Sequence, residues 1–253
     1  HRVRRRVRYR HVSTPVKGHL INRWQYSKLC NLILTTGECI RRPLINTFSL
    51  PEEKVVSAPT AITSPSKMTA RDQAKALLQT ELKLGPDSQF VGQVSVLRSW
   101  KGHKFLIDAF DRIASSFPDL HLVLVGSGPI ADQIRGLASN AYHKNRIHLV
   151  GHKNDPWPYF RALDLAVLAS VCNEGIPQSL LQAMYAETAV IGTDVGGIPE
   201  IVRNNSTGLL VPHSDSTSLS EAITRLIEDP ALSKKLITEA KEFAGGNFKW
   251  DTL

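Results

Sequence analysis

Residues 163–194 run LDLAVLASVCNEGIPQSLLQAMYAETAVIGTD. LDLAVLAS (163–170) is apolar at almost every position, as in a strand buried on both faces. PQSLLQAMYA (177–186) opens on proline and can turn Leu180, Leu181 and Met184 toward a core. TAVIGTD (188–194) is a second apolar run. Strand, helix and strand within about thirty residues make a βαβ unit, whose two strands lie parallel.

The same alternation extends in both directions. FVGQVSVL (90–97), HLVLVG (121–126), RIHLVG (146–151) and TGLLVP (207–212) read as further strands, making six. Between them lie HKFLIDAFDRIASSF (103–117), with a broad apolar stripe, and PIADQIRGLA (129–138), with proline in its first turn. DPWPYFRA (155–162) reads as a short helix or turn, and IPEIV (198–202) as one helical turn. SDSTSLSEAITRLIED (214–229), opened by Ser/Asp caps, and PALSKKLITEAKEFA (230–244) close the series. The expected fold is α/β, a doubly wound parallel sheet. Ligands of such sheets bind at the carboxyl ends of the strands, so loops 98–103, 126–130, 151–156, 170–178 and 193–200 hold the candidate chemistry.

Residues 1–65 read as the remainder of a second α/β unit, and 66–253 as the main lobe. VRYRHVS (7–13), NLILTT (31–36) and KVVSAPTAI (54–62) are its expected strands, and GECIRRPLI (37–45) its helix. ITSPSK (62–67) is rich in breakers and reads as a linker. MTARDQAKALLQTEL (68–82) is an expected helix with Thr69 as its cap. The first residue is His rather than Met, which suggests a piece of a longer chain.

The 253 residues carry a net charge of +8, unevenly placed. Residues 1–37 hold nine Arg and Lys and no acid before Glu38; the other 216 hold 22 basic and 23 acidic groups. The basic arm fits an anionic partner or a solvated face. With Tyr9 almost alone as a stacking residue, nucleic acid is not the expected partner. Cys30, Cys39 and Cys172 lack CxxC spacing, which excludes a disulfide framework or zinc ribbon. No apolar run reaches the roughly 20 residues of a spanning helix. GxxxxGK[ST], GxSxG and HExxH are absent.

GSGPIA (126–131) matches a dinucleotide-type turn, but the next strand ends in Leu149-Val150-Gly151 without the required acid. Gly128 in that turn can still bring backbone N–H groups toward an anion. In SVCNEGIPQSLLQAM (170–184) the signal is richer. Glu174 follows a strand, Gly175 lets backbone approach a ligand, and Pro177 opens a helix. The free N–H groups near Gln178, Ser179 and Leu180 would form an anion site, with Gln182 one turn in. A carboxylate beside an anion site needs another partner, and sugar hydroxyls supply strong donors.

EGIPQSLLQAM followed by PEIV, with KGH and VGSGP upstream in this order, resembles the retaining glycosyltransferases of GT-B architecture, the glycosyl transferases group 1. The resemblance is close over about 88–245 and looser over 1–65. It implies two Rossmann-like lobes, the C-terminal one holding a nucleotide-diphosphate sugar, and an enzyme that moves the sugar to an acceptor hydroxyl with retention. Cell-envelope glycan or lipopolysaccharide synthesis is the implied setting. The family's E-x7-E pair maps onto Glu174, toward the donor sugar, and Gln182, toward the ribose. The amide at 182 gives up the charge-assisted part of that bond, about 1 kcal/mol. The implied diphosphate ligands are Lys101 and Arg98, the latter only three residues earlier instead of the usual wider spacing. Gly128, His152, Gly175, Ile176, Pro177, Gln178 and Ser179 complete the implied donor site. His11, after the first strand, is the implied histidine near the transferred sugar, with His19 as the weaker choice. Ala61 in APTAIT replaces the glycine of the family's inter-lobe turn.

No cofactor or metal is expected, because Lys101, Arg98 and the helix start would meet the diphosphate charge. A glycan or lipid-linked acceptor is the expected second substrate. The arginine-rich start adds an anionic membrane surface, placing the protein in the cytoplasm at the inner face of a membrane. Two rival readings use the same lobe: a GT-B sugar-nucleotide epimerase, and a nucleotide-sugar-binding fragment without turnover.

Overall fold

β1 (Val7–Arg10), α1 (Leu20–Ser27), β2 (Leu32–Thr35), α2 (Glu38–Phe48) and β3 (Val55–Ser57) come first along the chain. The computed structural model describes residues 5–248. These three strands pair in parallel in the order β1-β2-β3. Their core is a cluster of Tyr26, Cys30, Ile33, Ile40, Leu44, Phe48, Leu50 and Val55, in which the Tyr26 ring stacks on Phe48 at 4.8 Å.

The second unit runs α3 (Arg71–Leu82), β4 (Gln89–Val94), α4 (His103–Ile113), β5 (Leu120–Val125), α5 (Ala131–Asn140), β6 (Ile147–Gly151) and α6 (Trp157–Ala162). It continues through β7 (Leu165–Leu168), α7 (Gln178–Tyr185), β8 (Ala189–Thr193), α8 (Ile198–Ile201), β9 (Leu209–Val211), α9 (Ser216–Glu228) and α10 (Pro230–Asn247). The sheet order is β6-β5-β4-β7-β8-β9, every pairing parallel. This is the expected doubly wound sheet with a smaller α/β unit before it.

Alternation along the central strands sorts the core into two layers. In β5, Val123 and Val125 join α3, α6, α7 and α8 on one face. Leu122 and Leu124 join α4, α5 and α9 on the other. α10 serves both, through Ala240 and Ala244 on the first face and Leu236 on the second. All residues of β5, β7 and β8 are buried, which is why their sequences are apolar without a polar face.

Several local expectations shift. α1 is an element that periodicity does not announce, because its outward face is apolar as well as its inward one. β3 stops at Ser57, two residues before Pro59, and the predicted continuation leaves the sheet. Ala61 and Ile62 are buried instead, Ile62 in the core of the large lobe, where its N–H donates to Phe248 O at 2.6 Å. α3 begins at Arg71 with Ala70 as its uncapped N-cap, so Thr69 does not cap it. α5 begins two residues after Pro129, because Ile130 is its N-cap and lies outside helical geometry. α4 ends at Ile113, ahead of the serine pair and of Pro118, which disfavours helix in the residue before it. α2 instead runs past its predicted end to Phe48, where Ser49 closes it in the left-handed conformation. Asp215 does cap α9, accepting from Thr217 and Ser218 N–H.

Candidate functional site

β4 and β7 are neighbours although two strands and three helices separate them in the chain, and β5 and β8 lie on opposite outer sides. The sheet therefore reverses its winding between β4 and β7. The two loops that leave this point, 95–102 and 169–177, carry the main candidates.

Lys101 ends a single 3-10 turn and is followed by Gly102, at φ +66°. A Cβ on residue 102 would stand 1.7 Å from the Ala169 carbonyl oxygen, so only glycine lets this loop lie against the end of β7. That contact puts Lys101 Nζ 2.7 Å from Glu174 Oε1. Ser170 Oγ donates to the same carboxylate oxygen at 2.6 Å. Glu174 is 6% exposed, so its charge is answered by an ammonium, a hydroxyl and little water.

Glu174 also sits at the junction of the two lobes. A Cβ on Gly175 would stand 2.4 Å from His11 O and 2.7 Å from Thr36 Oγ1. Asn173 Oδ1 accepts from Thr14 Oγ1 at 2.8 Å, and Gln178 Nε2 donates to Thr60 O at 2.9 Å. Glu200 bridges more directly. Its two carboxylate oxygens accept the N–H groups of Glu38 at 2.9 Å and Cys39 at 2.7 Å. α2 begins on Gly37, which offers no capping side chain, so a residue of the other lobe caps it. Burial, followed by the charge and hydrogen bond of Glu200, pushes the Cys39 thiol up to about 12. A cleft of about 630 Å³ lined by Glu38, Cys39, Arg42, Gly196, Glu200 and Arg203 opens beside this bridge.

α7 begins on Pro177, which supplies no side-chain cap. Its first N–H groups, on Gln178, Ser179 and Leu180, have no acceptor within the helix. Gly175, Ile176 and Pro177 are buried beneath them, and Gln178, Ser179 and Gln182 are half-buried. Glu174, Lys101 and this helix start thus come together, with the His11 main chain across the cleft.

The other expected site residues do not join the Lys101–Glu174 ion pair. The His11 ring turns back on Tyr9, edge-on at 4.1 Å. His19 is the N-cap of α1, accepting from Asn22 N–H at 3.4 Å. Arg98 is exposed, its guanidinium 5.0 Å from the centre of the Trp100 ring. Gly128 packs on the main chain of the 95–98 loop, where a Cβ would stand 2.3 Å from Leu97 O. His152 is exposed at the end of β6, the edge strand, with β5 between it and β4. Among the described residues, no three His, Cys, Asp or Glu side chains form a metal-binding group.

Three residues behind the site escape the sequence reading. Gln93 is fully buried; its Oε1 accepts from Ala169 N–H at 3.2 Å and its Nε2 donates to Lys101 O at 2.9 Å. It therefore holds both site loops at once. His103, buried at the start of α4, places Nε2 3.2 Å from Gln93 Nε2 and 3.3 Å from Ser95 Oγ. Burial, helped by the Lys101 charge, lowers His103 to about 4, so it is a neutral acceptor. Thr193 Oγ1 donates to Ser170 O at 2.6 Å, tying the end of β8 to the residue that supports Glu174. A glutamine in the middle of the apolar run 90–97 and the histidine of KGH are the sequence signals that mark this network.

The family model for glycosyl transferases group 1 matches residues 75–243, and the chain belongs to that family. It is 28% identical over 176 residues to N-acetyl-alpha-D-glucosaminyl L-malate synthase of Bacillus anthracis, covering 70% of this chain and 46% of that one. It is 28% identical over 226 residues to N-acetylgalactosamine-N,N'-diacetylbacillosaminyl-diphospho-undecaprenol 4-alpha-N-acetylgalactosaminyltransferase of Campylobacter jejuni, covering 88% and 58%. The chain thus spans about half the length of the curated relatives it matches. Anabaena HepE, solved with UDP-glucose, superposes with a TM-score of 0.81 at 22% identity, covering 96% of this chain and 68% of that one. The fold is therefore the GT-B type.

Proposed function

We propose that the protein is a retaining glycosyltransferase that moves a sugar from a nucleotide-diphosphate donor to an acceptor hydroxyl. The observation that carries this reading is the ion pair of half-buried Lys101 with buried Glu174, 2.7 Å apart, just ahead of α7 and at the junction of the two lobes. A pyrophosphate seated at the α7 N–H groups would draw Lys101 toward it and free Glu174 for sugar hydroxyls. The cation and the fixed N–H dipoles then stabilise the charge that grows on the departing diphosphate. Glu174 orients the sugar and stabilises the positive anomeric carbon in the transition state. Gln182, a turn along α7, faces the ribose as a neutral partner. Arg98 reaches the diphosphate by leaving its stacked position on Trp100, and His11 serves the acceptor side. The charge supplied by protein groups makes a metal unnecessary in this scheme.

Of the relatives named above, one is named as the synthase of N-acetyl-alpha-D-glucosaminyl L-malate and the other as an N-acetylgalactosaminyltransferase acting on a diphospho-undecaprenol-linked sugar; the second favours a lipid-linked acceptor of cell-envelope glycan synthesis here. HepE was solved with UDP-glucose, so UDP-sugars are the first donors to test. The decisive assay incubates full-length protein with UDP-sugars and a lipid-linked glycan, and follows the anomeric signal by NMR. An α-linked product from an α-donor is expected. Inversion refutes retention; release or epimerisation of sugar with no acceptor product supports the epimerase reading instead; no nucleotide-induced thermal shift and no turnover refutes the donor site.

A further inference from the structure

A main-chain N–H can only donate and a main-chain carbonyl can only accept. Gln93 Oε1 takes the Ala169 N–H at 3.2 Å and Gln93 Nε2 gives to Lys101 O at 2.9 Å, so the buried amide has one orientation. Its nitrogen side then turns N–H hydrogens toward Ser95 Oγ and toward His103 Nε2, each 3.2 Å away. A proton on His103 Nε2 would face those hydrogens. Ser95 Oγ, 3.3 Å from the same ring nitrogen, can donate to it as well. The ring is neutral, because burial and the Lys101 charge lower it to about 4, so its single proton sits on Nδ1. Nδ1 is buried and, among the described residues, has no hydrogen-bond partner. An unpaired donor in the interior costs stability, and an apolar side chain of similar size would avoid that cost. The ring is therefore explained by what its other nitrogen holds.

We propose that Gln93 and His103 are positioning residues: the bare Nε2 of His103 holds the Gln93 amide, and the amide is a strut that sets the spacing of Lys101 and Glu174. One end of the amide holds the main chain of the residue that carries the cation. The other end holds Ala169, which precedes Ser170, whose hydroxyl bonds Glu174 Oε1 at 2.6 Å. The two loops also meet where Val171 N–H donates to Trp100 O at 2.8 Å, so loss of the amide loosens their spacing without parting them. Groups that stabilise charge in a transition state must be in place before the charge forms, and side chains fixed by buried hydrogen bonds behind them meet that need. The part of the strut in turnover rests on the donor site proposed above. The tautomer of His103 and the coupling of Lys101 with Glu174 do not depend on it.

The test compares full-length wild type with three variants. Gln93→Met keeps the volume and removes both amide bonds, His103→Leu removes only the acceptor, and His103→Gln offers Oε1 in place of Nε2. Nitrogen NMR of the histidine rings should show His103 of the wild type protonated on Nδ1 and bare on Nε2, a preference that Gln93→Met abolishes. The coupling of Lys101 with Glu174, read from urea unfolding of Lys101→Ala, Glu174→Gln and the pair, should fall below about half of its wild-type value in the Gln93→Met and His103→Leu backgrounds. A merely structural role would lower every stability alike and leave the coupling whole. With UDP-glucose as the donor probe, and at a temperature where all proteins are folded, Gln93→Met and His103→Leu should each lose at least about tenfold in kcat with KM within about threefold. His103→Gln should recover most of that loss, and Gln93→Met/His103→Leu should be no slower than Gln93→Met, since the two residues act as a unit. An Nε2–H tautomer in the wild type, an undiminished coupling in both backgrounds, or an unchanged kcat in both variants would overturn the proposal. If the wild type neither binds nor turns over UDP-glucose while the coupling falls as expected, the donor reading fails and the strut stands.

Discussion

Lys101 and Glu174 answer each other's charge in a place where neither has much water. Removing one partner of such a pair leaves an uncompensated buried charge, at a cost of about 3–5 kcal/mol. Lys101→Ala should therefore destabilise the protein more than Glu174→Gln, and the double variant should recover much of the loss. Urea unfolding of the four proteins measures this coupling, and additive effects would show that the pair is not coupled. Catalysis separates the two differently. Glu174→Ala should lower turnover by about a hundredfold or more while the fold survives, because it removes an interaction strongest in the transition state. Near-normal transfer by that variant would remove Glu174 from the mechanism. His103 supplies a pH signature. Its folded pKa of about 4 lies below the ordinary 6.5, so between these values the unfolded chain binds a proton that the folded one refuses. Stability should fall as pH drops from 6.5 toward 4, by about 3 kcal/mol for this group, and be full above 6.5. His103→Gln should flatten that part of the profile in urea titrations at stepped pH.

At the scale of elements, α2 and α8 meet through Glu200. A cap contributed by another lobe stabilises closure of the lobes rather than α2 alone, by about 1–2 kcal/mol. Glu200→Gln should leave each lobe folded but populate open forms. Cys39 reports this, because its thiol is held up near 12 only while burial and Glu200 surround it. In a Cys172→Ser background, Cys39 in Glu200→Gln should react with a thiol reagent about tenfold faster than with Glu200 intact. An unchanged rate would mean that the bridge does not govern closure.

At the scale of the whole molecule, the cores do not mix. The cluster around Tyr26 and Phe48 shares no buried residue with the two layers of the large lobe, and Ile62 is the linker residue that joins the latter. Residues 61–253, which keep Ile62, should therefore unfold cooperatively by themselves and keep a nucleotide-diphosphate thermal shift, since Lys101, Glu174 and α7 all lie within them. At a ligand concentration of 100 times Kd that shift corresponds to about 2.7 kcal/mol. A piece that melts without a transition would show that the small lobe is needed to complete the large one.

The sequence alone determined the parallel sheet, its six strands and the loop that holds Glu174. Those follow from apolar runs and breakers, which are local, and from the rule that parallel sheets gather their loops at one edge. It also marked Lys101 and the start of α7. It did not determine that Lys101 and Glu174 pair, since residues 101 and 174 meet only because β4 and β7 are neighbours. Nor did it show Glu200 capping a helix of the other lobe or Gln93 holding two loops. Each of these depends on which surfaces come together, and apolar or polar character in one segment carries no information about what the rest of the chain will place against it.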